Sequence, residues 1–202
     1  MSSHAKLTPM NAPLRKPWTQ EEFFSWAERQ DTRYEFDGFE PVAMTGGTAG
    51  HSLLGGNVFF ALRSRLTTGP CRPLGPDAGV ATTNGAVRYP DALVTCSPFD
   101  KDDKAIPGVV IIFEVLSPST GAIDRIIKVR EYAAVPSIRR YIIVESTSIG
   151  LMVLHRQTAD EPWTTSTLTE GDVLKLPEIG TEIPVSEIYE GIDFAEQDTA
   201  SE

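Results

Sequence analysis

Glu114 closes the run Val109-Val110-Ile111-Ile112-Phe113 and is followed by Val115-Leu116. A run of this kind is a strand covered on both faces, where an ionised carboxylate loses its hydration. It is tolerated there only beside a cation, a metal ion or a strong donor. Upstream, Pro90-Asp91 opens a second apolar stretch, Ala92-Leu93-Val94, and downstream Lys128 lies on a predicted helix. With Asp91 and Glu114 at neighbouring strand ends, two carboxylates can converge on one ion. Mg²⁺ or Mn²⁺ takes hard oxygen ligands and keeps several waters, so two carboxylates and one backbone carbonyl, that of Val115, are enough. Such an ion polarises a phosphoryl oxygen and makes a bound water nucleophilic near neutral pH. A lysine beside it orients that water or stabilises charge on the pentacoordinate phosphorus.

The elements that must position these groups can be read from spacing. A helix is predicted from about Ile123 to Ala134, with Ile123, Ile126, Ile127, Ala133 and Ala134 as its core stripe. Asp124, Lys128 and Tyr132 recur every four residues and share an adjacent face, which could turn towards the strand ends. The alternative for Lys128 is a surface ion pair with Asp124, worth only about 0.3–0.5 kcal/mol. Asp91 taken alone reads as a turn residue; only its combination with Glu114 makes it a ligand candidate. Thr19-Gln20-Glu21-Glu22 has the form of a capping box opening a helix to about Gln30. Asp37-Gly38 between Tyr34-Glu35-Phe36 and Phe39–Val42 predicts a hairpin. Leu53, Leu54, Val58, Phe59, Leu62 and Leu66 predict an amphipathic helix after the Gly46–Gly50 loop. Short strands and turns follow between Thr67 and Pro90, and Asp100–Lys104 reads as a solvated loop. Strands are then expected over Tyr141–Val144, Leu151–Leu154 and Trp163–Leu168, with a closing extended segment through Ile183-Pro184-Val185. The order predicts an α/β fold of one domain, a mixed sheet flanked by helices with a terminal antiparallel meander.

Composition bounds the function. The 202 residues are 41% hydrophobic, enough for a full-sized core, and no apolar stretch approaches the length of a membrane span. The first 17 residues lack the apolar segment of a signal peptide, so a cytoplasmic location is expected. Tails are predicted at 1–17 and, acidic, at 191–202, with the folded domain over 18–190. Cys71 and Cys96 show no metal-ligand spacing and are expected as two buried thiols. The net charge is −10; the +3 of residues 1–17 and the −4 of residues 191–202 leave −9 between them. That balance opposes a simple nucleic-acid binder. Arg125, Lys128, Arg130, Arg139 and Arg140 against Asp124, Glu131 and Glu145 give one local excess of +2, a modest patch for a phosphate backbone.

Pro90-Asp91, then Glu114-Val115-Leu116-Ser117-Pro118-Ser119-Thr120, then Asp124, Lys128 and Tyr132 together resemble the restriction endonucleases of the Uma-two family, in the PD-(D/E)XK nuclease superfamily. The likeness extends to Trp18–Glu22, Tyr34-Glu35 with Asp37-Gly38, His51, and Ile183–Tyr189, and covers about residues 17 to 190. It implies a restriction-endonuclease-like core, with Asp91 and Glu114 as metal-binding acids and Mg²⁺ or Mn²⁺ as cofactor. It also implies cleavage of nucleic acid, DNA in the first instance, and is compatible with a homodimer that cuts two strands. The superfamily's lysine lies two residues after the second acid; that position is Leu116 here, and Lys128 is the relocated candidate. Glu35 reads as an additional acid at the site or as an exposed hairpin glutamate. His51 reads as a phosphate contact or as a helix-capping histidine, and Arg125 as a basic residue for the substrate. The departure at Leu116 leaves a second reading, a non-catalytic nucleic-acid-binding or interaction module in which Lys128 holds Glu114 as a buried ion pair.

Overall fold

The structure, a computed structural model, describes residues 16–117 and 124–194. Helix α1 (Gln20–Ala27) opens on the expected capping box: the Glu22 N–H donates to Thr19 Oγ1 at 3.1 Å and the Thr19 N–H to Glu22 Oε2 at 2.7 Å. Its buried Phe23 stacks on Phe36 with ring centroids 5.2 Å apart. Strands β1 (Tyr34–Phe36) and β2 (Pro41–Ala43) form the hairpin. Asp37 Oδ1 accepts the N–H groups of Phe39 and Glu40 in its turn, and Gly38 takes the positive φ of 93° that a side chain would resist. With β4 (Val80–Ala81) and β5 (Val87–Arg88) the hairpin makes a small sheet of order β2-β1-β5-β4.

Helix α2 (Ala49–Arg65) leads into the larger sheet, built from β3 (Arg72–Leu74), β6 (Ala92–Thr95), β7 (Val109–Val115), β8 (Arg140–Val144), β9 (Leu151–His155) and β10 (Thr164–Leu168). Its order is β10-β9-β8-β7-β6-β3; β7 and β8 are parallel and the other neighbours antiparallel. The crossover between β7 and β8 contains a π-helical turn (Asp124–Lys128) running into α3 (Val129–Ala133). Strands β11 (Val173–Leu176) and β12 (Thr181–Pro184) and helix α4 (Val185–Ile188) close the chain against α2. The mixed sheet flanked by helices, the N-terminal helix and hairpin and the C-terminal meander are those read from the sequence.

The central strand explains its own composition. Ile111, Phe113 and Val115 pack with Leu54, Val58 and Leu62 of α2, whereas Ile112 and Leu116 pack with Tyr132, Ile138 and Tyr141 on the opposite face. Both faces of β7 are therefore dry, and the apolar run is continuous rather than alternating.

Three expectations are corrected. The helix after β7 does not bury its isoleucines: Ile126 is 63% and Ile127 46% exposed, and Ala134 is exposed. The buried face instead carries Lys128, Glu131 and Tyr132, the face on which four-residue spacing put Lys128 and Tyr132, because these side chains answer the buried Glu114 and Arg88. Cys71 and Cys96 are joined in a disulfide rather than free. Arg72 pairs with Thr95 across β3 and β6, so the next residues outward face each other, an adjacency that 25 residues of sequence conceal. Residues 1–15 and 195–202, on which most of the two predicted tails falls, lie outside the described residues. Of the rest, Ile192 and Phe194 pack against the main core. No described helix is long and apolar enough to cross a membrane.

Arg65 on α2 forks onto both Glu187 oxygens at 2.8 and 2.6 Å and donates to the Glu182 carbonyl, clasping α4 and β12. The guanidinium hydrogen bonds hold the Glu187 carboxyl below its ordinary range. A depressed carboxyl stabilises the fold above its unfolded pKa and loses that contribution as pH falls through the folded value. Glu187→Gln is expected to cost about 1 kcal/mol at neutral pH, discounted for partial solvent screening. It should also flatten the loss of stability below about pH 4.5, as read by urea unfolding across pH.

Candidate active site

The β6–β7 register, with Ala92 opposite Phe113, brings Asp91 and Glu114 opposite each other at the strand ends. Glu114 faces the Tyr132 side of the sheet and is buried. Its Oε1 accepts from Lys128 Nζ at 2.9 Å and from the Tyr132 hydroxyl at 2.9 Å. Side-chain exposure is only 6% for Glu114 and 7% for Lys128. Lys128 also lies 3.3 Å from Glu35 Oε1. Glu35, drawn in from the hairpin rather than left in solvent, accepts the Tyr89 N–H at 3.1 Å and a 3.1 Å bond from Arg88, its cross-strand neighbour. Arg88 continues to Glu131, at 2.7 Å through Nε and 2.8 Å through Nη2. The result is a buried chain of alternating charge, Glu114–Lys128–Glu35–Arg88–Glu131, drawn from β7, the π turn, β1, β5 and α3.

The electrostatics follow from the packing. Burial acts to lower the Arg88 pKa, but the hydrogen bonds and charges of Glu131 and Glu35 overcome it and hold the guanidinium above its ordinary value. Burial and the adjacent Glu114 charge push the Tyr132 phenol well up, so Tyr132 serves Glu114 as a donor at neutral pH. Its ring is fixed edge-on against Tyr141 with centroids 5.0 Å apart. Arg88 escaped the sequence reading, and Glu131 entered it only as part of the local charge balance. The only available signal was an arginine three residues before Asp91 in an otherwise apolar stretch.

Asp91 is held from a different side. Its Oδ2 accepts the Val115 N–H at 2.7 Å. His51 Nε2 lies 3.0 Å from the Val115 carbonyl oxygen and 3.6 Å from Asp91 Oδ2. A carbonyl only accepts, so Nε2 carries the proton in this arrangement. The helix cap is Thr48, whose Oγ1 accepts the His51 N–H at 3.2 Å, and not the imidazole. One glycine makes room for the ring: a Cβ on Gly47 would meet His51 Nδ1 at 2.9 Å, whereas one on Gly55 would reach Asp91 Cβ only at an ordinary contact of 3.7 Å.

As the side chains stand, no three His, Cys, Asp or Glu residues among those described converge on one point. The donor set at the strand ends, two carboxylates and the Val115 carbonyl with an imidazole beside them, is nevertheless chemically suited to a divalent cation. Of the predicted basic patch, Arg125 pairs with Glu145, Lys128 with Glu114 and Glu35, and Arg140 with Glu178. The local cationic excess is thus largely spent within the fold. Residues 118–123 and the Asp124 side chain lie outside the described residues, so the proposed Asp124–Lys128 pair does too.

Removing one partner of a buried ion pair strands the other. Lys128→Ala is expected to destabilise the protein by about 3–5 kcal/mol in urea denaturation, leaving Glu114 and Glu35 without their cation. Adding Glu114→Gln should restore a clear part of that loss; strict additivity of the two variants would show that the pair is not coupled.

Residues 20–186 match the family model described as "Uma2: Putative restriction endonuclease". The chain is 34% identical over 186 residues to the uncharacterized protein slr1290 of Synechocystis sp., covering 91% of this chain and 97% of that protein. It also superposes on the crystal structure of a "putative nuclease belonging to DUF820" from Anabaena variabilis. That match has a TM-score of 0.66 and 12% identity, and covers 86% of this chain and 98% of the other, a likeness of fold. Asp91 at the start of β6 and Glu114 near the end of β7 thus stand within a chain that belongs to the Uma2 family of restriction-endonuclease-like proteins.

Proposed function

We propose that the protein is a metal-dependent endonuclease that hydrolyses the phosphodiester bonds of DNA. The observation that carries this reading is the placing of Asp91 and Glu114 at adjoining ends of β6 and β7, with Asp91 on the Val115 N–H and Lys128 at 2.9 Å from Glu114. Asp91, Glu114 and the Val115 carbonyl would hold Mg²⁺ or Mn²⁺, which when bound supplies Lewis acidity and a nucleophilic water. Lys128 is the catalytic cation: it enters from the helix because Leu116 occupies the strand position and points into the core. Its ammonium, kept in place by Glu35 and Glu114, stabilises the charge that builds on the phosphoryl oxygens. Glu35 is the additional acid; with Arg88 behind it, it fixes the height of Lys128. Arg125, on the same turn as Lys128, is the basic residue for a flanking phosphate. Two-strand cutting needs two such sites, which a homodimer supplies. The reading places the protein in the cytoplasm, where its DNA substrate lies.

A specific observation favours a second reading. Glu114 is already neutralised by Lys128 and Tyr132, as a non-catalytic interaction or nucleic-acid-binding module would require.

Cleavage of a supercoiled plasmid and a labelled single strand, with Mn²⁺, Mg²⁺ or EDTA, separates the two. Glu114→Gln and Asp91→Asn, matched for folding by circular dichroism, should lose cutting by on the order of a thousandfold. Undiminished cutting by Glu114→Gln would sink the endonuclease reading, and metal-independent binding without cutting by any form would establish the module.

A further inference from the structure

We infer that His51 is a nitrogen ligand of the metal site and biases that site towards a first-row transition cation over Mg²⁺. The inference rests on the metal-dependent reading above and extends its donor set. His51 Nε2 lies within 3.0 Å of the Val115 carbonyl oxygen and 3.6 Å of Asp91 Oδ2, so one nitrogen adjoins two of the three proposed ligands. An ion shared by Asp91 and the carbonyl would meet that nitrogen without any backbone movement.

The ring is held for this position. His51 lies in the first turn of α2, its N–H tied to Thr48 Oγ1, and its Nδ1 edge lies so close to Gly47 that a Cβ there would come within 2.9 Å. A lysine or arginine at this point would supply charge for a phosphate; a clamped imidazole supplies a directed lone pair. The His51 and Asp91 side chains are 21% and 20% exposed, against 6% for Glu114, so an ion reaches the cluster from the Asp91–His51 side.

Ligation requires the proton on Nε2 to shift to Nδ1. The ring keeps one proton and no net charge changes, while Nε2 changes from an N–H donor to the carbonyl into a lone-pair ligand of the metal. An oxygen-only set suits Mg²⁺; adding imidazole raises affinity along the first-row series and contributes little for Mg²⁺.

Electron spin-echo envelope modulation of the full chain loaded with Mn²⁺ tests this without an activity assay. The wild-type protein should show modulation from a directly bound ¹⁴N that is absent from His51→Gln. In titrations, His51→Gln should weaken Mn²⁺ binding at least about tenfold while changing Mg²⁺ binding less than about threefold. Mn²⁺ bound in an Asp91-dependent manner but without ¹⁴N modulation would overturn the inference and leave the endonuclease reading standing. Modulation that survives in His51→Gln would overturn it equally. A wild-type protein that binds neither Mn²⁺ nor Mg²⁺ would overturn both.

Discussion

An ionised Glu114 in the middle of a sheet, between two apolar clusters, is stable only if every element around it contributes a partner. Lys128 and Tyr132 meet the carboxylate directly; Glu35 then balances Lys128, Arg88 balances Glu35, and Glu131 completes the chain. Desolvation of ions is recovered only when geometry and remaining hydrogen bonds are both good. Here that condition fastens the small hairpin sheet, the central strand and the crossover helix to one another. The network fixes where β1 and β5 dock on the larger sheet, and a carboxylate that is costly to bury becomes the point of registration between two layers.

The same arrangement divides the candidate site into two halves of different character. The Glu114 half is buried and saturated with donors. The Asp91 half, with Val115 and His51, is more open, and Gly47 leaves room for the imidazole beside it. An ion joining the halves would compete with Lys128 for Glu114 but only with a single imidazole for the Val115 carbonyl. Mutual repulsion among the acids at −10 overall charge is reduced because so many of the arginines are already paired inside the fold.

Much of this was legible in the sequence, for identifiable reasons. The capping box, the Asp-Gly hairpin and the doubly covered strand are local signals, and each maps onto its element, although the first helix ends at Ala27 rather than about Gln30. Glu114 announced a partner because nothing else in Val109–Leu116 is polar. What was not legible depends on long-range register. Arg88 meets Glu35 because β1 and β5 pair, and Cys71 meets Cys96 because β3 and β6 do. The isoleucine stripe is not the buried one: the adjacent face of Lys128 and Tyr132, read from four-residue spacing, is buried instead because it meets Glu114. Exposed Ile126 and Ile127 show that hydropathy alone is a poor guide where a buried charge must be satisfied.

That π turn also bears on how the chain can change over evolutionary time. A π turn is an α-helical turn carrying one inserted residue. Removing a single residue between Asp124 and Ile127 would leave a regular helix in which Lys128 and Tyr132 keep their four-residue spacing, while Asp124 would swing by roughly 100° relative to both. The exposed Arg125, Ile126 and Ile127 therefore tolerate substitution more readily than Lys128, whose ammonium shares a carboxylate with the Tyr132 phenol four residues on.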